Sequence, residues 1–251
     1  MLKIGYSDLT TFWTCPRKLG FQKTGFRPAA FSEAITAGLL AHTGVFAALR
    51  GGDANRAMAQ QARSIKAASK EDISKLVNDA YLRAVGLAAR YLSGYAKDYE
   101  LLAIEPEVSL GNVVCHPDLI VKYHGDLAIV DIKTSKGPDY RWYDISGQVD
   151  LYAVVAELKY GAVAWCIYDV VSDEGIFRHQ RPPRVEQGQH MAYLCELVAK
   201  NTVESLLMRH QPRFDCPNRC IYFPACWLLT TDSMETATRW LEANMVKGED
   251  K

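Results

Sequence analysis

The sequence predicts a mixed α/β or α+β fold, and three observations lead to that prediction. Residues 53–98 are rich in Ala, Lys, Leu and Arg and contain almost no Gly or Pro, which is typical of helices. Residues 101–134 are rich in Val and Ile, which are the residue types of strands. Further helical segments follow these strands, and helices on both sides of a small sheet are typical of a mixed domain.

The individual elements follow from local signals along the chain. Ser7 and Ser32 are of the residue type that caps helix N-termini, so short helices are predicted to begin at each of them. The elements after residue 100 are predicted in chain order as strands over 101–110, 113–123 and 126–134, a helix near 143–159, a strand over 162–171 that pairs with 175–178, a helix over 185–210, a Cys-rich loop over 214–227 and a last helix over 232–246.

The composition excludes several classes of protein. Hydrophobic residues make up 49% of the 251 positions and charged residues 23%, which excludes a disordered or fibrous chain. With 29 basic and 29 acidic residues the net charge is zero, so only local patches could attract a polyanion. No stretch is long enough to span a membrane and no signal peptide is recognisable, so we expect a cytoplasmic location. In that reducing compartment, seven cysteines indicate metal binding or catalysis more than disulfides.

A predicted hairpin over residues 113–135 brings two acids and a lysine together. If the turn is centred on His124 and Gly125, opposed residues sum to 249, and Asp118 faces Asp131. Two opposed carboxylates repel each other, so folding alone does not favour the pair, whereas a divalent cation does. Lys133 lies on the same face as Asp131 because side chains alternate along a strand. A surface hairpin with solvated charges is the alternative.

These residues resemble the signature of the PD-(D/E)xK nuclease superfamily, and in particular of its RecB-like branch. The resemblance is carried, in chain order, by Gly38-Leu-Leu-Ala-His42, Pro117-Asp118, Asp131-Ile132-Lys133 and Gln148-Val-Asp-Leu-Tyr152. Each short motif is weak alone, and their order makes the combination specific. The resemblance implies a restriction-endonuclease-like core, which is a small central mixed sheet flanked by helices.

The resemblance also implies a role for each of these side chains. Asp118, Asp131, His42 and the main-chain carbonyl of Ile132 would hold Mg²⁺ or Mn²⁺, and carboxylate oxygens suit Mg²⁺ on general grounds. Lys133 would orient or deprotonate the attacking water. The i, i+4 spacing of Gln148 and Tyr152 puts both on one helical face, from which they would position the DNA or the lysine; an amphipathic helix is the alternative.

Four cysteines far apart in sequence form a second candidate site. Cys216, Cys220 and Cys226 lie within eleven residues, and Cys15 is the best candidate for a fourth ligand. From the residues alone, a structural zinc site is the strongest alternative. The layout resembles the iron–sulfur nucleases of the RecB-like branch, AddB-type and CRISPR-adaptation nucleases, which implies a [4Fe–4S] cluster. The three other cysteines are predicted to be small buried hydrophobic residues: Cys115, Cys166 and Cys195.

The function implied is that of a metal-dependent DNA nuclease, more an exonuclease than an endonuclease, in recombination, repair or phage DNA processing. The alternatives are a CRISPR spacer-processing nuclease and a non-catalytic DNA-binding iron–sulfur module. No Walker A motif is present, so a helicase or recombination protein is a possible partner. We expect a single nuclease domain over 1–251, in which 53–98 is a helical insertion and 1–28 with 205–230 forms the iron–sulfur subdomain.

Basic residues outnumber acids at both ends of this layout. Residues 1–28 contain five Lys or Arg residues against Asp8 alone, and residues 176–220 contain seven against four acids. The aromatic residues beside this basic rim are Phe12, Trp13, Tyr222 and Phe223. Cations beside aromatic rings suit single-stranded DNA. Ordinary solvated surface, or rings that pack around a cluster, is the alternative.

Overall fold

Five strands form one central mixed sheet in the computed structural model, which describes residues 1–27, 32–69, 72–135, 143, 145–209 and 220–247. The strands of the chain are β1 (Phe26–Arg27), β2 (Tyr99–Ile104), β3 (Val108–Leu110), β4 (Val113–Cys115), β5 (Leu119–Tyr123), β6 (Asp126–Ser135), β7 (Trp165–Ser172), β8 (Ile176–Arg181) and β9 (Val246–Lys247). The sheet has the order β2-β5-β6-β7-β8, and β6 and β7 are its one parallel pair. The mixed α/β fold is confirmed.

Helices cover both faces of this sheet. They are α1 (Tyr6–Thr14), α2 (Pro16–Lys23), α3 (Glu33–Leu49), α4 (Ala54–Ala68), α5 (Ser74–Gly94), α6 (Gln148–Tyr160), α7 (Val185–Ala199), α8 (Val203–Leu207), α9 (Phe223–Thr231) and α10 (Met234–Asn244). A short 3₁₀ turn, Ala96–Asp98, joins α5 to β2. No described helix combines the length and the apolar character needed to cross a bilayer.

The alternation of side chains along the strands divides the core into two layers. Ile120 and Ile129 pack on one face, with buried residues of α6 and α7. Val121 and Val130 point to the opposite face and pack with α3, α4 and α5. A sheet that is apolar on both faces must be covered on both, which explains the continuous apolar runs in its strands.

Several predicted boundaries were wrong for local reasons. Ser7 lies inside α1, whose N-cap is Gly5; the Asp8 carboxylate accepts a hydrogen bond from the Gly5 backbone N–H at 2.9 Å. Ser32 does cap α3, with its hydroxyl accepting from the Ile35 N–H at 3.5 Å. The predicted loop over 214–227 becomes helical at Phe223, because the proline that follows is tolerated in the first turn of a helix.

The two ends of the chain pack together in a third apolar cluster. The rings of Phe21 in α2 and Tyr222 stack with centroids 5.5 Å apart, and the Tyr222 hydroxyl donates to the Phe26 carbonyl at 2.7 Å. Leu207 and Leu241 complete the buried interior of this cluster. Strands β1 and β9 also pair antiparallel there. The N-terminal and C-terminal segments are therefore held beside each other by apolar contacts and backbone pairing.

Candidate active site

The hairpin of β5 and β6 has the predicted register. His124 and Gly125 have φ values of 53° and 91°, which are the positive angles that a two-residue type I′ turn requires. Residues pair from Tyr123↔Asp126 to Leu119↔Val130, so opposed residues do sum to 249. The ladder ends one pair before Asp118 and Asp131. The predicted backbone pairing of these two acids does not form.

A side chain replaces the missing backbone pair. Strand β6 continues past the start of β5, and the Asp118 carboxylate accepts a hydrogen bond from the Ile132 backbone N–H at 2.6 Å. The Asp118 backbone is held in turn, because the Glu105 N–H donates to its carbonyl at 2.8 Å. The N–H and C=O of a strand residue point to the same side, so the Ile132 carbonyl also faces this open edge.

The second acid, Asp131, is buried beside Lys133. Asp131 is 3% exposed, and its carboxylate oxygen Oδ2 lies 2.5 Å from the Lys133 Nζ. Burial, together with the nearby charge of Asp118, raises the pKa of Asp131 to about 6, and the charge of Lys133 opposes this rise. Burial would lower the pKa of Lys133, but the Asp131 carboxylate outweighs that effect and raises it. Lys133 is therefore a charged ammonium at neutral pH, next to a carboxylate.

The first turn of α6 contacts this pair. The Gln148 Nε2 donates to Asp131 Oδ1 at 3.2 Å and to the Tyr152 hydroxyl at 2.7 Å. Both side chains thus lie on one helical face, as their spacing predicts. Gln148 therefore restrains the orientation of the Asp131 carboxylate.

The imidazole of His42 approaches from the opposite layer. Its Nδ1 lies 3.6 Å from Asp118 Oδ1, and its ring packs edge-on against Phe46 at 5.5 Å. Burial would lower the pKa of His42, but the Asp118 carboxylate outweighs it and raises the pKa. His42, Asp118, Ile132 and Lys133 line one open cavity of about 900 Å³. The edge of β6 that faces β5 is unpaired beyond Val130, so side chains from the two core layers can approach each other at this edge.

A buried ion-pair network holds the start of α6, and the sequence analysis missed it. Asp150 is fully buried and accepts hydrogen bonds from Arg181 Nη1 at 2.6 Å and from Arg184 Nη2 at 2.8 Å. Burial alone would raise the pKa of Asp150, but the bonds from the two arginines hold it below its ordinary value. The only sign of this network in the sequence is Asp150 itself, an acidic residue in the first turn of α6 among apolar residues that face the core. The network anchors the helical turn that presents Gln148.

Gly38 belongs to one of the sequence motifs, and its role follows from the packing of α3 on β6. A Cβ atom at Gly38 would lie 2.6 Å from the Thr134 hydroxyl oxygen. A larger residue at this position would force the Thr134 hydroxyl or the helix to shift, and the same helix carries His42 one turn later.

We expect Gly38→Ala to reduce any metal-dependent cleavage by roughly ten- to hundredfold, because a small displacement of a catalytic group has effects of that order. The double variant Gly38→Ala/Thr134→Ala removes the colliding hydroxyl and should recover most of the activity. Gly86→Ala in α5 is the matched control, since a Cβ there meets nothing within 4 Å. Initial rates and thermal melts measure both effects; equal activity of Gly38→Ala and wild type would contradict this role of the glycine.

The candidate cysteines lie where the chain ends meet. Cys15 is partly exposed between α1 and α2, while Cys220 precedes α9 and Cys226 lies within it. The Arg17 Nη1 donates to Cys226 Sγ at 3.4 Å. The remaining candidate, Cys216, falls outside the described residues. The three cysteines predicted to be small buried residues are indeed buried: Cys115, Cys166 and Cys195.

Among the residues that the structure describes, no three or more His, Cys, Asp or Glu side chains are grouped so that they could hold a metal ion. The acids and His42 of the cavity are held by protein partners, among them the Ile132 N–H, Lys133 and Gln148. Metal binding at this site would therefore exchange some of these contacts for bonds to the ion.

Comparison with known proteins covers nearly the whole chain. A sequence model described as the PD-(D/E)XK nuclease superfamily matches residues 3–227. No curated protein sequence matches the chain. The solved structure described as "Crystal structure of SSO0001" is similar at 13% sequence identity and a TM-score of 0.33, over 89% of this chain and 95% of that one. The range matched by the family includes every residue of both candidate sites.

Proposed function

The chain belongs to the PD-(D/E)XK nuclease superfamily, and from this premise we propose that it is a divalent-metal-dependent DNA exonuclease of the RecB-like branch. The observation that carries the proposal is the contact between the buried Asp131 carboxylate and the ammonium of Lys133, which is partly exposed. Gln148 bonds to Asp131, and the Asp118 carboxylate lies at the same open edge of β6. The RecB-like branch is supported by the order of His42, the two acids, the lysine and the Gln148 helix.

The donor set fits a hard divalent cation. By residue type, the donors would be the carboxylates of Asp118 and Asp131, the main-chain carbonyl of Ile132 and the imidazole of His42, and the two acids would exchange present protein contacts for bonds to the ion. Oxygen donors suit Mg²⁺, and the imidazole also suits Mn²⁺. The raised pKa of Asp131 supports the assignment, since a cation would remove the cost of its buried negative charge. When bound, the cation would lower the pKa of a coordinated water and neutralise charge on the phosphate.

The other proposed catalytic roles belong to side chains of the protein. The Lys133 ammonium would hold the attacking water or donate a hydrogen bond to the phosphate oxygen on which charge develops. Gln148 keeps the Asp131 carboxylate in one orientation, and the Tyr152 hydroxyl holds Gln148. The Asp150 network keeps this helical turn in place.

A cleavage assay tests the function directly. End-labelled single-stranded DNA, end-labelled duplex and closed circular DNA are incubated with Mg²⁺, with Mn²⁺ or with a chelator. An exonuclease should degrade the linear substrates, spare the circles and stop when the metal is chelated. Cleavage of the circles would show an endonuclease instead. No cleavage of any DNA with either metal would contradict the nuclease assignment.

We also propose that Cys15, Cys216, Cys220 and Cys226 bind a [4Fe–4S] cluster. The support is the set of four thiols and the packing of the N-terminal and C-terminal segments, to which Cys220 and Cys226 contribute at the edge of the third apolar cluster. In this proposal residues 1–28 and 205–230 form an iron–sulfur subdomain of a single nuclease domain, and 53–98 is a helical insertion. A partner helicase or recombination protein would supply the DNA end.

Replacement of Cys15 by Ala should remove the iron as fully as replacement of Cys216, Cys220 or Cys226. Each variant leaves three of four ligands, and an incomplete shell loses both the metal and the stability that binding supplies. Anaerobically purified wild type should contain about four iron and four sulfide per chain.

The control variants for the cluster are Cys115→Ala, Cys166→Ala and Cys195→Ala, which should keep their iron and lose on the order of 1 kcal/mol from smaller side chains. Iron and zinc are measured by elemental analysis together with thermal melts. Stoichiometric zinc in the wild type, or full iron in the Cys15 variant, would overturn the iron–sulfur proposal.

A further inference from the structure

A groove between α1 and α7 lies outside the cavity that holds the candidate catalytic residues. It has a volume of about 440 Å³, and Leu9, Phe12 and Trp13 of α1 form one of its walls. Its opposite wall includes Leu197 of α7, and its rim includes the two cations Lys200 and Arg209. None of the residues that line it also lines the cavity of His42 and Lys133.

The groove exposes apolar surface that folding alone would bury. The Trp13 side chain is 50% exposed and Leu197 is 39% exposed, whereas Leu9 beneath them is fully buried. A half-exposed tryptophan above an apolar floor offers a flat surface on which another ring can stack. The groove volume of about 440 Å³ is sufficient for one planar heterocycle.

The charges around the groove are of one sign. Lys200 and Arg209 line it, and no acidic residue does. Among the described residues, neither Lys200 nor Arg209 forms an ion pair with an acidic side chain. The acid one helical turn before Lys200 is Glu196, whose carboxylate is engaged by the Asn112 backbone N–H at 2.6 Å and side-chain amide at 3.0 Å. Lys200 and Arg209 beside an apolar slot are complementary to a ligand that has both a ring and a phosphate.

Helix α1 connects the groove to the surroundings of Gln148. Tyr6 and Ser7, in its first turn, line a cleft together with Gln148 and Tyr152. Trp13 lies seven residues after Tyr6, which is about 10 Å along the helix axis at 1.5 Å per residue. The groove and the cleft that contains Gln148 and Tyr152 therefore lie along the same helix, at a separation that a few nucleotides span.

We propose that the groove is a binding site for one unpaired nucleotide of a single DNA strand. The base stacks on Trp13, and Lys200 and Arg209 bind the adjacent phosphates. The unpaired form is required because a base inside a duplex is already stacked and cannot enter a slot, whereas single strands offer their bases to aromatic side chains. This inference rests on the proposed function for the identity of the polymer, and it specifies single-stranded DNA as the form held near the site.

Binding is measured by fluorescence anisotropy with a labelled single-stranded oligonucleotide and with a blunt duplex, both in EDTA so that no cleavage occurs. Trp13→Ala should weaken single-strand binding by roughly tenfold, Trp13→Phe should retain most of it, and duplex binding should hardly change. Trp227→Ala is the matched control, because Trp227 is also an exposed helical tryptophan, at 59%, and lies outside the groove.

A second variant removes the charge without touching the apolar floor. Lys200→Ser/Arg209→Ser should make single-strand binding less steeply dependent on salt, because fewer phosphate contacts release fewer counterions. If Trp13→Ala and this double variant both bind single strands as the wild type does, the inference is wrong. It is also wrong if Trp227→Ala weakens binding as much as Trp13→Ala does.

The assays separate this inference from the proposed function. If the wild type cleaves DNA and its single-strand binding does not depend on Trp13, the proposed nucleotide site is wrong and the nuclease assignment stands. If single-strand binding depends on Trp13 but the protein cleaves no DNA with either metal, the proposed nucleotide site is supported and the nuclease assignment is wrong.

Discussion

Replacement of Asp131 by Asn or of Lys133 by Ala should reduce DNA cleavage by at least about a thousandfold. Asp131→Asn keeps the shape of the side chain and the acceptor for Gln148 Nε2, but it removes the negative charge that a cation requires. Lys133→Ala removes the ammonium that lies 2.5 Å from that carboxylate. Initial rates on end-labelled DNA, at saturating Mg²⁺ and Mn²⁺, measure both losses.

The fold should tolerate Asp131→Asn, whereas Lys133→Ala leaves the buried Asp131 carboxylate without its ammonium partner and should lower the melting temperature. Because burial raises the pKa of Asp131 to about 6, the folded protein bears a cost for its charge at neutral pH that a neutral isostere does not have. Thermal melts of Asp131→Asn should therefore stay near those of the wild type. The control is Lys122→Ala in the same hairpin, an exposed lysine paired with Glu100 at 2.9 Å, which should change neither rate nor stability appreciably. Full activity of either active-site variant would remove the pair from the mechanism.

Replacement of Arg178 by Ala should lower the free energy of unfolding by about 3–5 kcal/mol, because it leaves a charge buried without its partner. Asp169 in β7 is fully buried and accepts a hydrogen bond from Arg178 Nε at 2.8 Å and from the Tyr99 hydroxyl at 2.6 Å. Burial raises the pKa of Asp169, and the bonds from Arg178 and Tyr99 oppose that rise. The Arg178 guanidinium also lies 3.9 Å from the centroid of the Tyr95 ring.

Urea denaturation measures this loss. Arg239→Ala is the matched control, since Arg239 pairs with Glu235 at 2.9 Å on an exposed helical face and such pairs contribute under about 1 kcal/mol. Asp169→Asn/Arg178→Met removes both charges and should be less destabilised than Arg178→Ala. A loss below 1 kcal/mol in Arg178→Ala would show that this network does not stabilise the fold.

The strand pairing at the site could be predicted because it depends on local signals. A two-residue turn at His124 and Gly125 determines the register of both strands that leave it, and the alternation of side chains then determines their faces. The helical face shared by Gln148 and Tyr152 follows in the same way from 3.6 residues per turn. These inferences need only neighbours in the sequence, and the structure confirms them.

The prediction failed where the ladder stops. An uninterrupted hairpin would pair Asp118 with Asp131 through the backbone, yet β5 begins at Leu119 and the Asp118 carboxylate itself binds the Ile132 N–H. Pro117 indicates that strand pairing is interrupted at this position, because proline has no backbone N–H, but it does not indicate which contact replaces the pairing. The end of a strand depends on what the rest of the molecule offers to its free N–H and C=O groups, which neighbouring residues do not reveal.

Taken alone, the amino-acid sequence determined the mixed fold, the hairpin register and the residue types of the candidate site, because all of these depend on period, turn chemistry and composition. Only the tertiary structure decided that Asp131 is buried, that Gly38 lies against Thr134, and that Asp150 is held by two arginines. Each of these contacts joins residues far apart in the chain. Burial and charge pairing are properties of packed surfaces, and a surface exists only once the helices lie on the sheet.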